Sequence, residues 1–369
     1  MTTRLLILQT TPFCNIDCSY CYLPDRSGRR QISPEVVASA CDLLAEAGLV
    51  ADGLSVVWHA GEPLAVGAPA LDRLVGSTRR LEAAGFKINH CVQTNGTLIS
   101  DAFCDLFERI GMRVGVSIDG PQDLHDLNRK MRNGRGTFGQ VMRGIDRLRA
   151  RGIGFDAICV LSDAALDRAE EIYDFFAGLG ARSLGFNVPE IEGQNRTSDI
   201  SSDAYLGRLR QFWNRLIGHH FGRRALYLRE IDDLVASLRY GEMGRLSELV
   251  QPFGIVTVAC DGSIYTFSPE LAGQSDRRFD DFSIGNVSTD SFEHIRANDR
   301  LLRMKAEIDL GIERCRNGCA YFDVCGGGAP SNKIAEHGRF DVAETRHCKS
   351  TKQALVDSLL SYVDRPVAA

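Results

Sequence analysis

The sequence contains no long apolar run. No stretch approaches the roughly 18 uninterrupted apolar residues that a membrane-spanning helix needs, and the amino terminus turns polar too soon for a secretory signal peptide. An excess of positive charge is also lacking, since the net charge is −5, and this disfavours a nucleic-acid surface. We therefore expect a cytoplasmic protein with neither a membrane nor a nucleic acid among its partners. The 369 residues suffice for two domains.

Cysteine, in contrast, is plentiful, with twelve residues. In a cytosolic chain of this size, metal binding explains such a number better than a disulfide framework does. Four cysteines stand alone in apolar surroundings and are expected in the core: Cys41, Cys91, Cys104 and Cys159. Seven others form two tight groups near the chain ends: Cys14, Cys18, Cys21, Cys315, Cys319, Cys325 and Cys348. Cys260 fits neither group and is interpreted as a structural thiol.

The first group is a C-x3-C-x2-C loop, which directly follows the apolar run Leu5–Leu8. Four thiolates would saturate a tetrahedral metal or cover every iron of a [4Fe-4S] cluster. Three thiolates leave one iron uncovered, and an uncovered iron can bind a substrate or cofactor. Packing thiols or part of a zinc site are the alternative interpretations.

This loop resembles the signature of the radical S-adenosylmethionine (SAM) enzymes. The resemblance implies a [4Fe-4S] cluster whose vacant iron chelates the amino and carboxylate groups of SAM. One electron from the cluster then cleaves the sulfonium and yields a 5′-deoxyadenosyl radical that abstracts a substrate hydrogen. It also implies an electron donor such as flavodoxin or ferredoxin.

Short apolar runs alternate with amphipathic stretches through the first 200 residues, which predicts an α/β fold with a parallel sheet. The predicted strands are Leu5–Leu8, Ser55–Trp58, Ile88–Val92, Val114–Ile118, Phe155–Leu161 and Ser183–Val188. The predicted helices are Pro34–Ala47, Ala70–Ala84, Ser100–Ile110, Thr137–Arg151 and Ala165–Gly178. The resemblance implies a partial (β/α)6 radical SAM barrel, whereas periodicity alone also allows an open doubly wound sheet. In both, ligands bind at the carboxyl ends of the strands.

Polar residues follow several predicted strands at that end. The resemblance implies that a Gly-Glu edge holds the SAM amino group, and that a Ser-x-Asp-Gly turn with a following Arg contacts the ribose and carboxylate. An arginine offers a planar fork for a carboxylate. Ordinary turns with solvated charged residues are the alternative interpretation of the same sequence pattern. The expected cofactor-binding residues are Tyr20, Gly61, Glu62, Asn95, Ser117, Asp119, Arg129 and Asn187. Glu190 is a further candidate for contact with adenosine or substrate.

The second cysteine group resembles the SPASM extension of radical SAM peptide maturases, although its first gap is three residues instead of two. Four thiolates can fully ligate one auxiliary iron–sulfur cluster, and a structural zinc site is the alternative. We expect a radical SAM core at residues 1–205, a helical bridge at 206–250 and a SPASM-like iron–sulfur domain at 251–369. The bridge should contain helices at Leu228–Tyr240 and Met243–Glu248, and strands and turns should dominate from residue 251.

A second auxiliary cluster is not expected, because Phe267 and Ala329 occupy the positions of two further ligands. The Cys-Asp pair of sulfatase maturases, whose Asp serves as a base, is replaced by Phe267-Ser268, which weakens a formylglycine-forming interpretation. Glu270 is the candidate for the catalytic base.

Three segments together, 11–26, 266–271 and 325–333, resemble the maturases of glycine-rich-repeat precursor peptides. That resemblance implies an enzyme that abstracts a Cβ hydrogen from a ribosomal precursor peptide and joins the carbon to an aromatic ring, forming a cyclophane. Many peptide maturases carry an amino-terminal leader-binding module, for which we expect no room before Cys14. The alternatives are a peptide maturase of another outcome (thioether formation, epimerisation or sulfatase-type oxidation) and a non-catalytic iron–sulfur or zinc protein.

Overall fold

The computed structural model describes residues 2–195 and 202–364. Within these ranges the strands are β1 (Thr3–Gln9), β2 (Val50–His59), β3 (Ile88–Thr94), β4 (Arg113–Ser117), β5 (Phe155–Val160), β6 (Ser183–Asn187), β7 (Tyr227–Leu228), β8 (Ile255–Val258), β9 (Ser263–Thr266) and β10 (Gly285–Asn286). They form one sheet in the order β10-β9-β8-β1-β2-β3-β4-β5-β6-β7.

Strands β1 to β7 and strand β8 run parallel, and β9 and β10 are antiparallel to their neighbours. The sheet is open, with β7 and β10 at its edges. The prediction of an α/β fold is confirmed, and the open sheet is consistent with a partial barrel. Because β1 to β6 are parallel, their carboxyl ends meet at one edge.

Helices flank the sheet. They are α1 (Pro34–Glu46), α2 (Ala68–Ala83), α3 (Asp101–Ile110), α4 (Gln122–Asn128), α5 (Phe138–Ala150), α6 (Ala169–Leu179), α7 (Asp203–Arg223), α8 (Arg229–Tyr240), α9 (Phe292–Arg296), α10 (Asp299–Gly318), α11 (Phe322–Cys325), α12 (Pro330–His337), α13 (Arg346–Cys348) and α14 (Ala354–Val363). Helix α1 shows why such segments start where they do: Ser33 accepts a hydrogen bond from the amide of Val36, and Pro34 opens the first turn.

The predicted helix at Met243–Glu248 is wrong. The segment forms turns and ends in a short 3-10 helix at Glu248–Val250. Gly241 and Gly244 have φ values of 69° and 78°, which are left-handed conformations that interrupt a right-handed helix. The amide of Gly244 instead donates to the carbonyl of Asp323.

The expectation that strands and turns dominate after residue 251 is also wrong beyond β10, where α9 to α14 follow. Helix α10 buries Leu301, Met304, Ile308 and Ile312, which are spaced three or four residues apart as on one helix face. Asn298 caps this helix by accepting from the amides of its first turn. Cys315 therefore lies on a helix.

The carboxyl-terminal part of the chain shares the sheet with the amino-terminal part. Strand β8 pairs with β1 from Leu5 opposite Ile255 to Leu8 opposite Val258. Helix α14 packs along α7. The domain boundaries at residues 205 and 250 remain predictions. Of the helices in the described ranges, none has the length and apolarity that crossing a bilayer requires.

Three of the solitary cysteines, Cys41, Cys104 and Cys159, are fully buried in the core, as predicted. Cys91 is only partly buried, so the prediction is wrong for this residue. On β3 the buried positions are His90, Val92 and Thr94, and Cys91 lies on the opposite face of the strand.

Candidate functional site

The three cysteines of the amino-terminal loop line one cavity at the carboxyl ends of the parallel strands. The space open to water in it is about 180 Å³. The other lining residues include predicted cofactor contacts: Tyr20, Gly61, Asn95, Ser117, Arg129 and Asn187. In residues 2–195 and 202–364, no group of three or more His, Cys, Asp or Glu side chains is arranged to hold a single metal ion.

The end of α4 and the residues that follow it hold the cysteine loop in place through hydrogen bonds. The amide of Asp17 donates to the carbonyl of Lys130 over 2.7 Å, and the amide of Ser19 donates to the carbonyl of Asn128 over 3.0 Å. Arg132 donates to the carbonyl of Cys14 over 3.0 Å. Helix α4, which positions the residues that make these hydrogen bonds, was not predicted from the sequence.

A buried ion pair adjoins the cavity. Arg129 Nε lies 3.0 Å from Asp119 Oδ2, and the two side chains are only 7% and 3% exposed. Asp119 also accepts hydrogen bonds from Tyr20 Oη (2.6 Å) and the amide of Val160 (3.0 Å). Burial raises the pKa of Tyr20 well above its usual value, so the phenol keeps its proton and donates. Asp119 thereby fixes Arg129, which lines the cavity, without lining the cavity itself.

Glu62 lies behind the cavity wall and is fully buried. It accepts hydrogen bonds from the amide of Leu64 (3.0 Å), Thr94 Oγ1 (2.6 Å) and the amide of Asn95 (2.8 Å). Burial raises its pKa to about 7, against the opposing effect of these hydrogen bonds. The structure brings Gly61 to the cavity but not the Glu62 carboxylate. The role of Gly61 and Glu62 toward the SAM amino group remains a prediction.

The strand ends β3 and β4 contribute further polar groups. Asn95 Nδ2 donates to Asn15 Oδ1 (2.8 Å) and lies 3.8 Å from Cys14 Sγ. Gln93 Nε2 donates to Ser117 Oγ over 2.9 Å. Sequence reasoning missed Gln93, although its place two residues before Asn95, at the end of a predicted strand, was an available signal.

His59 also lines the cavity. Its Nδ1 accepts a hydrogen bond from the amide of Ala60 over 2.5 Å. Burial lowers the pKa of His59 to about 4, so the imidazole is neutral.

The four cysteines of the second group line a separate cavity, together with Gly327, Gly328 and Lys333. Three helices bring them there: α10 carries Cys315, α11 ends at Cys325 and α13 ends at Cys348. The amide of Thr345 donates to Cys348 Sγ over 3.3 Å. Cys260 lines neither of these two cavities.

Three glutamates, which we call the carboxylate group, cluster beside the first cavity: Glu190, Glu192 and Glu270. Glu190 lines the cavity. Asn332 Nδ2 bridges two of them, at 2.8 Å from Glu192 Oε1 and 3.3 Å from Glu190 Oε2. In the described ranges no lysine or arginine nitrogen lies within 4.0 Å of any of the three carboxylates.

The carboxylate group retains protons unusually strongly. Burial, and then the charge of Glu190, raises the pKa of Glu270 to about 7. Burial and the neighbouring carboxylates raise the pKa of Glu192 well above its usual value. His347 Nδ1 lies 3.6 Å from Glu190 Oε1, and burial lowers its pKa to about 4, so it supplies no positive charge at neutral pH. Sequence reasoning missed Glu192 and Asn332.

Comparison with known proteins supports the interpretation of the first cysteine group as a radical SAM motif. The family model of the Radical SAM superfamily matches residues 8–176. "Uncharacterized protein sll1766" of Synechocystis sp. is 37% identical over 98% of this chain and 92% of its own length. The "Serine-type anaerobic sulfatase-maturating enzyme" of Klebsiella aerogenes is 33% identical over 52% of this chain. That match spans 47% of the enzyme, so this chain aligns with about half of its length.

Solved structures share the fold across nearly the whole chain. "Native anSMEcpe with bound AdoMet" has a TM-score of 0.77 at 21% identity, covering 97% of this chain and 98% of that one. Streptococcus suis SuiB bound to precursor peptide SuiA has a TM-score of 0.67 at 13% identity, covering 94% of this chain and 76% of that one. At these identities the likeness establishes the fold alone.

Proposed function

The chain belongs to the radical SAM superfamily, and we propose that it modifies a ribosomally made precursor peptide by joining an aromatic ring carbon to a Cβ atom. It is an enzyme whose cofactors are a [4Fe-4S] cluster and SAM. The observation that carries the proposal is the cavity at the strand ends, where three thiols, the Arg129 guanidinium and a carboxylate of the carboxylate group meet.

The residues of the first cavity suit these cofactors. Cys14, Cys18 and Cys21 would hold the cluster. Burial raises the pKa of Cys14 to about 11 and that of Cys18 to about 12, so binding iron must release their protons. Arg129 would bind the SAM carboxylate, because its five N–H donors exceed what Asp119 accepts.

The four cysteines of the second cavity would hold one auxiliary iron–sulfur cluster. Gly327 and Gly328 line the same cavity with φ values of 108° and 78°, conformations that side chains other than glycine rarely adopt. Their backbone can therefore approach the sulfides of a cluster closely.

When bound, SAM and the two clusters supply a radical that takes a hydrogen atom from the peptide Cβ and an acceptor for the electron released when the ring regains aromaticity. Crosslinking removes two hydrogens from the peptide, the second as a proton plus that electron. We assign the proton to the carboxylate group. Glu190 is placed to meet substrate because it lines the cavity, and the negative charge of Glu270 helps to raise the pKa of the neighbouring Glu192.

A second candidate is a sulfatase-type side-chain oxidation, which the names of several relatives favour. The segment that directly follows β9 argues against it. Phe267 and Ser268 are fully buried, and Ser268 Oγ accepts a hydrogen bond from the amide of Ser331 over 3.2 Å. No carboxylate stands at position 268, where the sulfatase maturases' base is expected.

The test is anaerobic co-expression with a short peptide that is encoded beside this chain and contains repeated aromatic-x-x motifs. We expect the peptide to lose two hydrogens per crosslink and to yield no backbone fragments between the joined residues. A Cys14→Ala/Cys18→Ala/Cys21→Ala variant should leave it unmodified. An unchanged mass would overturn the proposal. A product that reacts with a hydrazide would show a formylglycine aldehyde and favour the second candidate.

A further inference from the structure

The first turn of α12 is buried although it is polar. Its residues Ser331, Asn332 and Lys333 are each only 3% exposed. Their contacts point in different directions: Ser331 contacts Ser268 after β9, Asn332 contacts the carboxylate group and Lys333 lines the second cavity. The same helical turn thus contacts both the carboxylate group, which would receive the proton, and the second cavity, whose cluster would receive the electron.

Lys333 has an unusual environment for a lysine. Its Nζ lies 3.7 Å from Cys315 Sγ. In the described ranges no carboxylate oxygen lies within 4.0 Å of that nitrogen. Gly311 on α10 leaves room for the ammonium, since a Cβ built on this glycine would lie 3.1 Å from Nζ. The lysine is therefore packed tightly against the cysteine-lined cavity.

A buried ammonium without an anionic partner is costly, so its position calls for negative charge in the cavity. A four-thiolate iron–sulfur cluster supplies that charge. The converse also holds: a fixed positive charge beside a redox centre stabilises the state with one more electron, because reduction adds negative charge.

We propose that Lys333 is a positioning residue of the auxiliary cluster, which holds the Cys315 thiolate in place and favours the one-electron-reduced state of the cluster. The step is the uptake by the cluster of the one electron that the substrate ring releases when it regains aromaticity in the proposed crosslinking. This inference rests on the auxiliary cluster of the proposed function.

The experiment uses the Cys14→Ala/Cys18→Ala/Cys21→Ala chain, in which the auxiliary cluster is the remaining iron–sulfur centre. Its midpoint potential is measured by a dithionite titration followed by EPR. We expect Lys333→Met to lower the equilibrium constant for reduction at least tenfold, which is about 59 mV for one electron. Lys333→Arg should stay within threefold of the parent because it keeps the charge.

Lys352 provides a matched control. It lines the same cavity but is exposed to solvent, so water and salt screen its charge. Lys352→Met should therefore shift the potential much less than Lys333→Met does. Equal shifts in the two variants would overturn the inference, since they would reflect net charge instead of the buried contact.

The other outcomes are also decisive. An unchanged midpoint in an iron-loaded Lys333→Met variant overturns the inference. Loss of iron in Lys333→Met with retention in Lys333→Arg supports it, whereas loss in both shows a packing role and overturns it. Zinc instead of iron in the parent chain overturns both this inference and the auxiliary cluster. SAM cleavage by the full chain would still report on the first cavity separately.

Discussion

Replacing Gly61 by alanine should displace the cysteine loop. Gly61 has a φ of 57°, and its Cβ would lie 2.5 Å from the carbonyl oxygen of Phe13 and 2.6 Å from those of Thr11 and Pro12. All three oxygens belong to the backbone that leads into Cys14. The clash cannot be relieved by turning a side chain, so the loop itself has to move.

The loss of unfolding free energy caused by Gly61→Ala has two contributions, a lost hydrogen bond and backbone strain. A carbon–oxygen contact needs about 3.3 Å and the shortest one here is 2.5 Å, so the loop must retreat by roughly 0.8 Å. That retreat stretches the hydrogen bond from the amide of Glu62 to the carbonyl of Phe13, now 2.7 Å long, beyond useful length. Losing a buried hydrogen bond costs about 1–3 kcal/mol, and alanine in the left-handed region adds about 1–2 kcal/mol. We expect a total loss of about 2–5 kcal/mol.

Two measurements check this prediction: the urea unfolding free energy of the iron-free chain, and the iron content and cluster absorbance after anaerobic reconstitution. Gly61→Ala should lower both. Gly76→Ala is the control, because Gly76 lies on α2, where an added Cβ meets no atom within 4 Å. It should be neutral or stabilise by up to about 1 kcal/mol. Full iron loading and unchanged stability of Gly61→Ala would refute the steric argument.

Two further predictions concern buried charge. Asp119→Asn leaves Arg129 buried without its anion, so urea unfolding should show a loss of about 3–5 kcal/mol, and a loss below about 1 kcal/mol would contradict the ion pair. Glu62 has a folded pKa of about 7 against an ordinary 4.5, so it contributes about 3 kcal/mol below pH 4.5 that is lost as the pH rises through about 7. Glu62→Gln should flatten stability over that interval, and an unaltered pH profile would exclude the raised pKa.

The parallel strands were predicted close to their observed positions, but β2 was predicted to be shorter than it is. Its prediction began at Ser55, whereas the strand begins at Val50. Asp52 and Gly53 interrupt the apolar run, and Gly53 has a φ of 79°. The pairing of β1 with β2 shifts register between Thr3 and Leu5, which is how the sheet accommodates this irregularity. A pattern of alternating hydrophobicity cannot anticipate a strand that continues through such an interruption.

The grouping of the cysteines could be predicted because most members of each group are close in sequence, which keeps their thiols close in space. The carboxylate group could not, since it depends on Asn332 meeting Glu190 and Glu192 from a distant part of the chain. Burial, which raises their pKa values, arises only when α12 packs against the loop after β6. Local propensity carries no information about such long-range packing.

The charges around the two cavities differ in how they are balanced, and this difference suits the proposed reaction. Arg129 at the first cavity is paired with Asp119, so it can bind an anion without changing protonation. In the described part of the chain, the carboxylate group has no lysine or arginine partner and Lys333 has no carboxylate partner. Carboxylates without cations favour taking up a proton, and a cation without carboxylates favours an added electron. Since Asn332 and Lys333 are consecutive, separation of proton and electron would take place across one turn of α12.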